Sequence, residues 1–178
     1  MRKIVLTFGF IAGAILSAMM LITLTFHDEI GFDKSAVVGY TTMVLAFLMV
    51  FFGVRSYRDN VAGGSVTFGR AFLVGLMITA LASACYVATW ELVGPKLAPD
   101  YLDKYAAYSV EKARNSGATD AQIAAKTKEM AEFKEMYKNP LINIAYTLLE
   151  PLPVGLLFTL VAARVLSRKR RAGSVAIA

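Results

Sequence analysis

Between Phe47 and Gly75 the chain reads F-L-M-V-F-F-G-V-R-S-Y-R-D-N-V-A-G-G-S-V-T-F-G-R-A-F-L-V-G. One apolar run ends in Arg55, Tyr57 and Arg58, a Gly63-Gly64 turn follows, and a second apolar run leaves after Arg70. Each helix that crosses a bilayer needs about 20 apolar residues to span a hydrocarbon core of about 30 Å, whereas a water-soluble core rarely needs uninterrupted runs of that length. Lys and Arg near span ends are retained on the cytoplasmic side. The stretch therefore reads as a membrane hairpin with its tip in the cytoplasm, and it orients the rest of the chain. With 57% of 178 residues hydrophobic, the whole sequence belongs to the membrane class.

Four spans are expected, at about 4–26, 36–54, 68–91 and 141–163. The first is longer than the 7–15-residue apolar region of a signal peptide and ends in T-F-H-D-E, not in a small-x-small cleavage site, so it reads as retained. Gly9, Gly13 and Ser17 recur every four residues along it, and Ala71, Gly75, Thr79 and Ser83 do so along the third span. Such small-residue stripes let helix backbones approach closely. Trp90 and Tyr86, with Phe26 and Tyr40 at matching levels, read as an outer aromatic belt. Glu91, next to Trp90, reads as an interfacial carboxylate that reaches water.

Residues 27–35 make a short external turn. His27, the sole histidine, has Asp28 and Glu29 as sequence neighbours, an incomplete ligand set, so no metal site is expected. The lone Cys85 lies within an apolar run and reads as a small buried residue.

From 92 to 139 the composition changes: charge rises, long apolar runs stop, and Gly94, Pro95 and Pro99 mark the boundary. A helix from Asp100 to about Arg114 carries Tyr101, Tyr105 and Tyr108 on one face. Asn115-Ser116-Gly117 stops it. Thr119 with Gln122 is a capping-box pattern opening a second helix to about Tyr137, whose apolar side holds Ile123, Met130, Phe133 and Tyr137. The tyrosine face can pack on the outer span ends, lie on the membrane surface, or dock a partner. Ordinary packing is the simplest of the three.

The last span contains Leu149-Glu150-Pro151-Leu152-Pro153. Pro151 and Pro153 remove backbone donors, so the helix kinks or restarts there. Pro151, Gly155, Thr159 and Ala163 form another four-spaced stripe, from which Glu150 would stand about 140° away from Gly155 on an ideal helix, an angle the kink alters. An ionisable residue enclosed by apolar sequence marks a polar cavity or ion path, or else lies near the interface. The expected cytoplasmic segments hold Arg2, Lys3, Arg55, Arg58, Arg70, Arg164 and the run from Arg168 to Arg171, against the single acid Asp59, while the outer segments are acidic on balance. That asymmetry obeys the positive-inside rule with both termini cytoplasmic. It makes the terminal basic run an anionic-lipid contact and not a nucleic-acid patch.

With F-G-V-R-S-Y-R-D at 52–59, G-G-S-V-T-F-G-R-A-F-x-x-G at 63–75 and E-P-L-P-V-G at 150–155, the chain resembles, over about 4–168, an uncharacterised family of bacterial inner-membrane proteins catalogued as a domain of unknown function. The resemblance implies four transmembrane helices with a long extracytoplasmic segment before the last, and no reaction. The expected fold is an all-α membrane protein: one membrane domain, 1–178, of four transmembrane helices with an extracytoplasmic amphipathic helical hairpin, 92–139, between the third and fourth. The expected role is non-enzymatic, acting in the bacterial inner membrane by helix packing or by a partner met through the hairpin. The alternative is a small oligomeric transporter or channel using Glu150. Candidate functional residues are Glu150, Pro151, Pro153 and Glu91, with Arg55, Arg58 and Arg70 as the cytoplasmic basic turn and Tyr101, Tyr105 and Tyr108 as the partner face. Membrane lipids, a membrane or periplasmic protein and a second copy of the chain are the expected partners. No cofactor, metal or nucleic acid is expected, and Gly63-Gly64 lacks the spacing of a phosphate-binding loop.

Overall fold

The computed structural model describes residues 1–167, and the Arg168 to Arg171 basic run lies outside the described residues. Among them are α1 (Arg2–Thr25), α2 (His27–Ile30), α3 (Phe32–Asn60), α4 (Phe68–Leu97), α5 (Tyr101–Asn115), α6 (Asp120–Tyr137), α7 (Pro140–Leu149) and α8 (Pro151–Leu166). The helices α1, α3 and α4 are each long and apolar enough to cross a membrane, and α7 with α8, bent by 41°, is long and apolar enough for a fourth crossing if the pair is one span. The protein is an all-α, multi-pass membrane protein.

Two spans run further than their apolar stretches. α3 extends to Phe32 and Asn60 because its polar ends protrude past the hydrocarbon, where water can hydrate Asp33 and Arg58. α4 continues through Gly94 and Pro95 to Leu97, where a boundary was expected. Pro95 falls in the last turn, where it leaves the Glu91 carbonyl without its N–H donor, and the helix ends two residues later. Gly94 is buried against the Trp90 indole, and a Cβ there would lie 2.9 Å from Cε3.

The central helix is α4, which packs on α1, α8 and α3, while α3 also packs on α1 and α8. Glycines allow these approaches. A Cβ on Gly13 would lie 2.7 Å from Cys85 Cβ, and one on Gly75 2.9 Å from Thr159 Cγ2. One on Gly155 would collide with Thr79 Cγ2 and lie 2.8 Å from the Phe47 ring. The stripes on α4 and α8 therefore interlock. At their crossing the buried Thr79 hydroxyl donates to Gly155 O at 3.2 Å and stands 3.1 Å from Thr159 Oγ1. On the other side Thr89 donates to Ser17 Oγ at 2.7 Å. The α1 stripe is occupied by α4 of the same chain, so it offers no free face for a second copy. Phe47, Val50, Val54, Val74 and Ile78, all fully buried, fill the centre.

α5 and α6 form the expected hairpin, with Gly117 at φ 80° in the turn. The capping box on α6 is formed: Thr119 N–H donates to Gln122 Oε1 at 2.8 Å, and Gln122 N–H donates to Thr119 Oγ1 at 3.4 Å. Thr119→Ala is expected to weaken the first turn of α6 by about 1 kcal/mol. Hydrogen exchange at residues 120–123 should rise roughly fivefold while exchange in the spans stays unchanged.

Candidate functional site: a chamber under the helical hairpin

The last span breaks because Pro151 and Pro153 supply no N–H to the carbonyls of Thr147 and Leu149 four residues earlier, and their rings crowd those carbonyls. Glu150 sits at the break. Counted from Ala163, the last residue before Arg164 at the basic end, α8 rises about 20 Å at 1.5 Å per residue, which sets Glu150 past the middle of a hydrocarbon core of about 30 Å, on its hairpin side.

The bend also opens the bundle. α8 packs on both α3 and α4, whereas α7, past the bend, packs on α4, α6 and α8. The space left between α1, α3, α4 and α7, with α5 and α6 as its roof, is a chamber of about 800 Å³. At its floor the Tyr86 hydroxyl donates to Glu150 Oε2 at 2.5 Å. Along its α4–α7 wall Trp90 Nε1–H donates to Asn143 Oδ1 at 3.0 Å, and Thr147 donates to the same oxygen at 3.2 Å. The Tyr137 hydroxyl stands 3.3 Å from Thr147 Oγ1. Trp90 meets the Tyr101 ring edge-on at 5.3 Å, and Phe133 meets Tyr146 at 5.2 Å. Edge-to-face pairs at these distances are favoured by the ring quadrupoles.

The roof is held to the span ends by Phe32. Its ring lies 5.5 Å from that of Tyr101, 5.7 Å from Tyr105 and 5.0 Å from Tyr108. Ion pairs fix the register. Lys104 bridges Asp28 at 2.7 Å and Asp100 at 2.9 Å. It also donates to His27 Nε2 at 3.1 Å, which leaves Nδ1–H to donate to Leu24 O at 3.0 Å. Lys112 meets Asp33 at 2.7 Å, and Tyr108 donates to the same carboxylate. Hydrogen bonds to Asp28 and then Asp100 hold the Lys104 ammonium above its ordinary pKa. These groups are exposed, so salt screens them.

Burial, and secondarily the Glu150 charge, pushes the Tyr101 hydroxyl from 10.0 up to about 12. The unfolded chain then ionises this tyrosine before the folded one does. The contribution of Tyr101 to stability is constant below pH 10 and falls as pH rises from 10 to 12. Tyr101→Phe should make the alkaline loss of stability shallower, as read by thermal melts in detergent across pH 9–12.

Several sequence expectations are corrected by this arrangement. Trp90 and Tyr86 are turned inward as hydrogen-bond donors and are not belt residues, because α7 and α5 cover them. Phe26 and Tyr40 are exposed, 47% and 58%, as belt residues would be. Glu91 is half-buried, and its Oε1 is buried without a hydrogen-bond partner among the described residues, so it does not simply reach water. Tyr101, Tyr105 and Tyr108 face Phe32 and do not form a free partner face. Pro151 is buried at the head of α8 and, with Pro153, acts by bending the span. Arg55, Arg58 and Arg70 lie at the opposite end, where Arg58 Nε donates to Asp59 Oδ1 at 2.7 Å. Glu150 alone of the candidate carboxylates lines the chamber floor. Phe32, Asn143 and Tyr146 carry no local signal, since each acts through a neighbour distant in sequence.

No curated protein and no solved structure matches the chain. Its residues 7–168 match a family described as protein of unknown function, DUF4199, so both the interlocked bundle and the chamber lie within the matched region. The chain belongs to the DUF4199 family.

Proposed function

We propose that this protein works by binding and not by catalysis, as a multi-pass protein of the bacterial inner membrane with both termini cytoplasmic and the hairpin outside. Its working part on this reading is the chamber. The observation that carries it is the break at Glu150, beside which lies a space of about 800 Å³ with one carboxylate at its floor. That volume falls within the roughly 300–1,000 Å³ of small-molecule sites, which combine aromatic walls with a few polar groups. Gly39 lines the chamber, and a Cβ added there meets nothing within 4 Å. Gly39→Trp should therefore occupy the space without disturbing the helix contacts. Native mass spectrometry of protein taken from its membrane should show a small molecule or lipid retained by the wild type and lost from Gly39→Trp. Equal retention by both would remove the chamber from the function.

The broken span also supports the alternative, transport through Glu150, because broken helices with an ionisable residue line substrate paths. Below Glu150, however, Phe47, Val50 and Ile78 are fully buried and fill the route towards the basic end. Passage would need a rearrangement or a path between copies. Glu150→Gln in reconstituted vesicles is expected to leave ion flux unchanged, and a fall in flux would favour transport.

A further inference from the structure

The chamber has an open side and an unbalanced charge. In the basic half of the bundle α3 packs on α8, but past the bend α7 packs on α4 and α6, while Gly39, Tyr40 and Met43 of α3 face the chamber. The gap between α3 and α7 is bordered by Tyr40, 58% exposed, and Leu149, 62% exposed. At this level, on the hairpin side of the hydrocarbon core, such a gap faces lipid. Whatever enters sideways carries an apolar chain.

The charge follows from where the cations go. At the roof, Lys104, Lys112, Lys126 and Lys134 each pair with a carboxylate: Asp28, Asp33, Glu129 and Asp103 in turn. Glu150 at the floor has no cationic partner among the described residues and accepts only the Tyr86 hydroxyl. The aromatic wall beside it includes Trp90, Tyr101 and Tyr137. Electron-rich ring faces attract an ammonium within about 6 Å, more strongly where water is displaced. An anionic head group would meet an unpaired carboxylate there, and a neutral one would leave it unbalanced.

We infer that the chamber takes the head group of a cationic amphiphile, an amine or quaternary ammonium on a hydrocarbon chain, drawn from the hairpin-side leaflet. The ammonium sits at Glu150 against the aromatic wall, and the chain leaves between α3 and α7. This rests on the binding role proposed above.

Trp90 is the only tryptophan, so its fluorescence reports the chamber alone. Protein in a neutral maltoside detergent is titrated with three bromine-labelled amphiphiles of one chain length: an alkyltrimethylammonium, an alkyl sulfate and an alkyl maltoside. The ammonium compound is expected to quench Trp90 at a concentration at least tenfold below the other two. Glu150→Gln should abolish that preference, and Glu150→Asp, which keeps the charge, should retain most of it; circular dichroism checks that both variants are folded. Equal quenching by all three compounds would overturn the cationic class while leaving the chamber as a binding site. A preference that survives Glu150→Gln in folded protein would also overturn it. Absence of quenching by any of them would overturn both the inference and the binding role.

Discussion

Gly155→Val is expected to abolish the folded bundle, and Gly155→Ala to lower its stability by about 1–3 kcal/mol, the usual cost of overpacking a close-packed core. Intrinsic helix propensity argues the other way, favouring Ala over Gly by about 1 kcal/mol. Packing should win because the added carbon meets Thr79 on α4 and the Phe47 ring on α3 at once, and both neighbours are fully buried with nowhere to move. Thr79 would also be pushed off the Gly155 carbonyl and Thr159. Gly39→Ala is the matched control on α3: with open space around its Cβ it should be neutral or stabilising. Melts in detergent that rank Gly155→Ala level with Gly39→Ala would contradict the interlocked stripes.

Phe32→Ala should release the hairpin while leaving the spans intact. A buried Phe truncated to Ala costs about 3–5 kcal/mol, and Phe32, being half-buried, belongs at the lower end of that range. The ion pairs of Lys104 and Lys112 are exposed and cannot replace it. In the wild type, 0.5 M salt should leave the hairpin docked, whereas in Phe32→Ala the same salt should undock it. Hydrogen exchange across residues 101–137 should then rise at least tenfold, with α1, α3 and α4 unchanged. A variant that loses the bundle along with the hairpin would show that the roof is part of the core and not a layer resting on it.

The crossings were legible because each hydrocarbon-spanning helix must announce itself in about 20 apolar residues, and the glycine stripes because close approach needs small residues at fixed spacing. Sequence alone did not pair them. That Gly155 meets Thr79, and Gly13 meets Cys85, depends on which helices become neighbours. The prolines marked the break at Glu150, but the angle and its consequence, α7 leaving α3 to open a chamber, are tertiary. The inward turn of Trp90 and Tyr86 was hidden for a related reason. At a span end these residues suit lipid head groups and buried hydrogen bonds equally well, and Asn143 and Glu150, which decide between the two, lie 53 and 64 residues away. Phe32 was hidden in an acidic turn that reads as solvated.

The most direct test is cysteine accessibility from the two faces of the membrane, in a Cys85→Ala background so that only the introduced thiol reports. Gly39, which lines the chamber with open space around its Cβ, becomes one reporter as Gly39→Cys, and Thr79, buried in the filled core, becomes the other as Thr79→Cys. The chamber predicts that a membrane-impermeant maleimide labels Gly39→Cys from the hairpin side only and Thr79→Cys from neither side. Labelling of Gly39→Cys from the basic side, or its complete protection on the hairpin side, would contradict a chamber open beneath the hairpin.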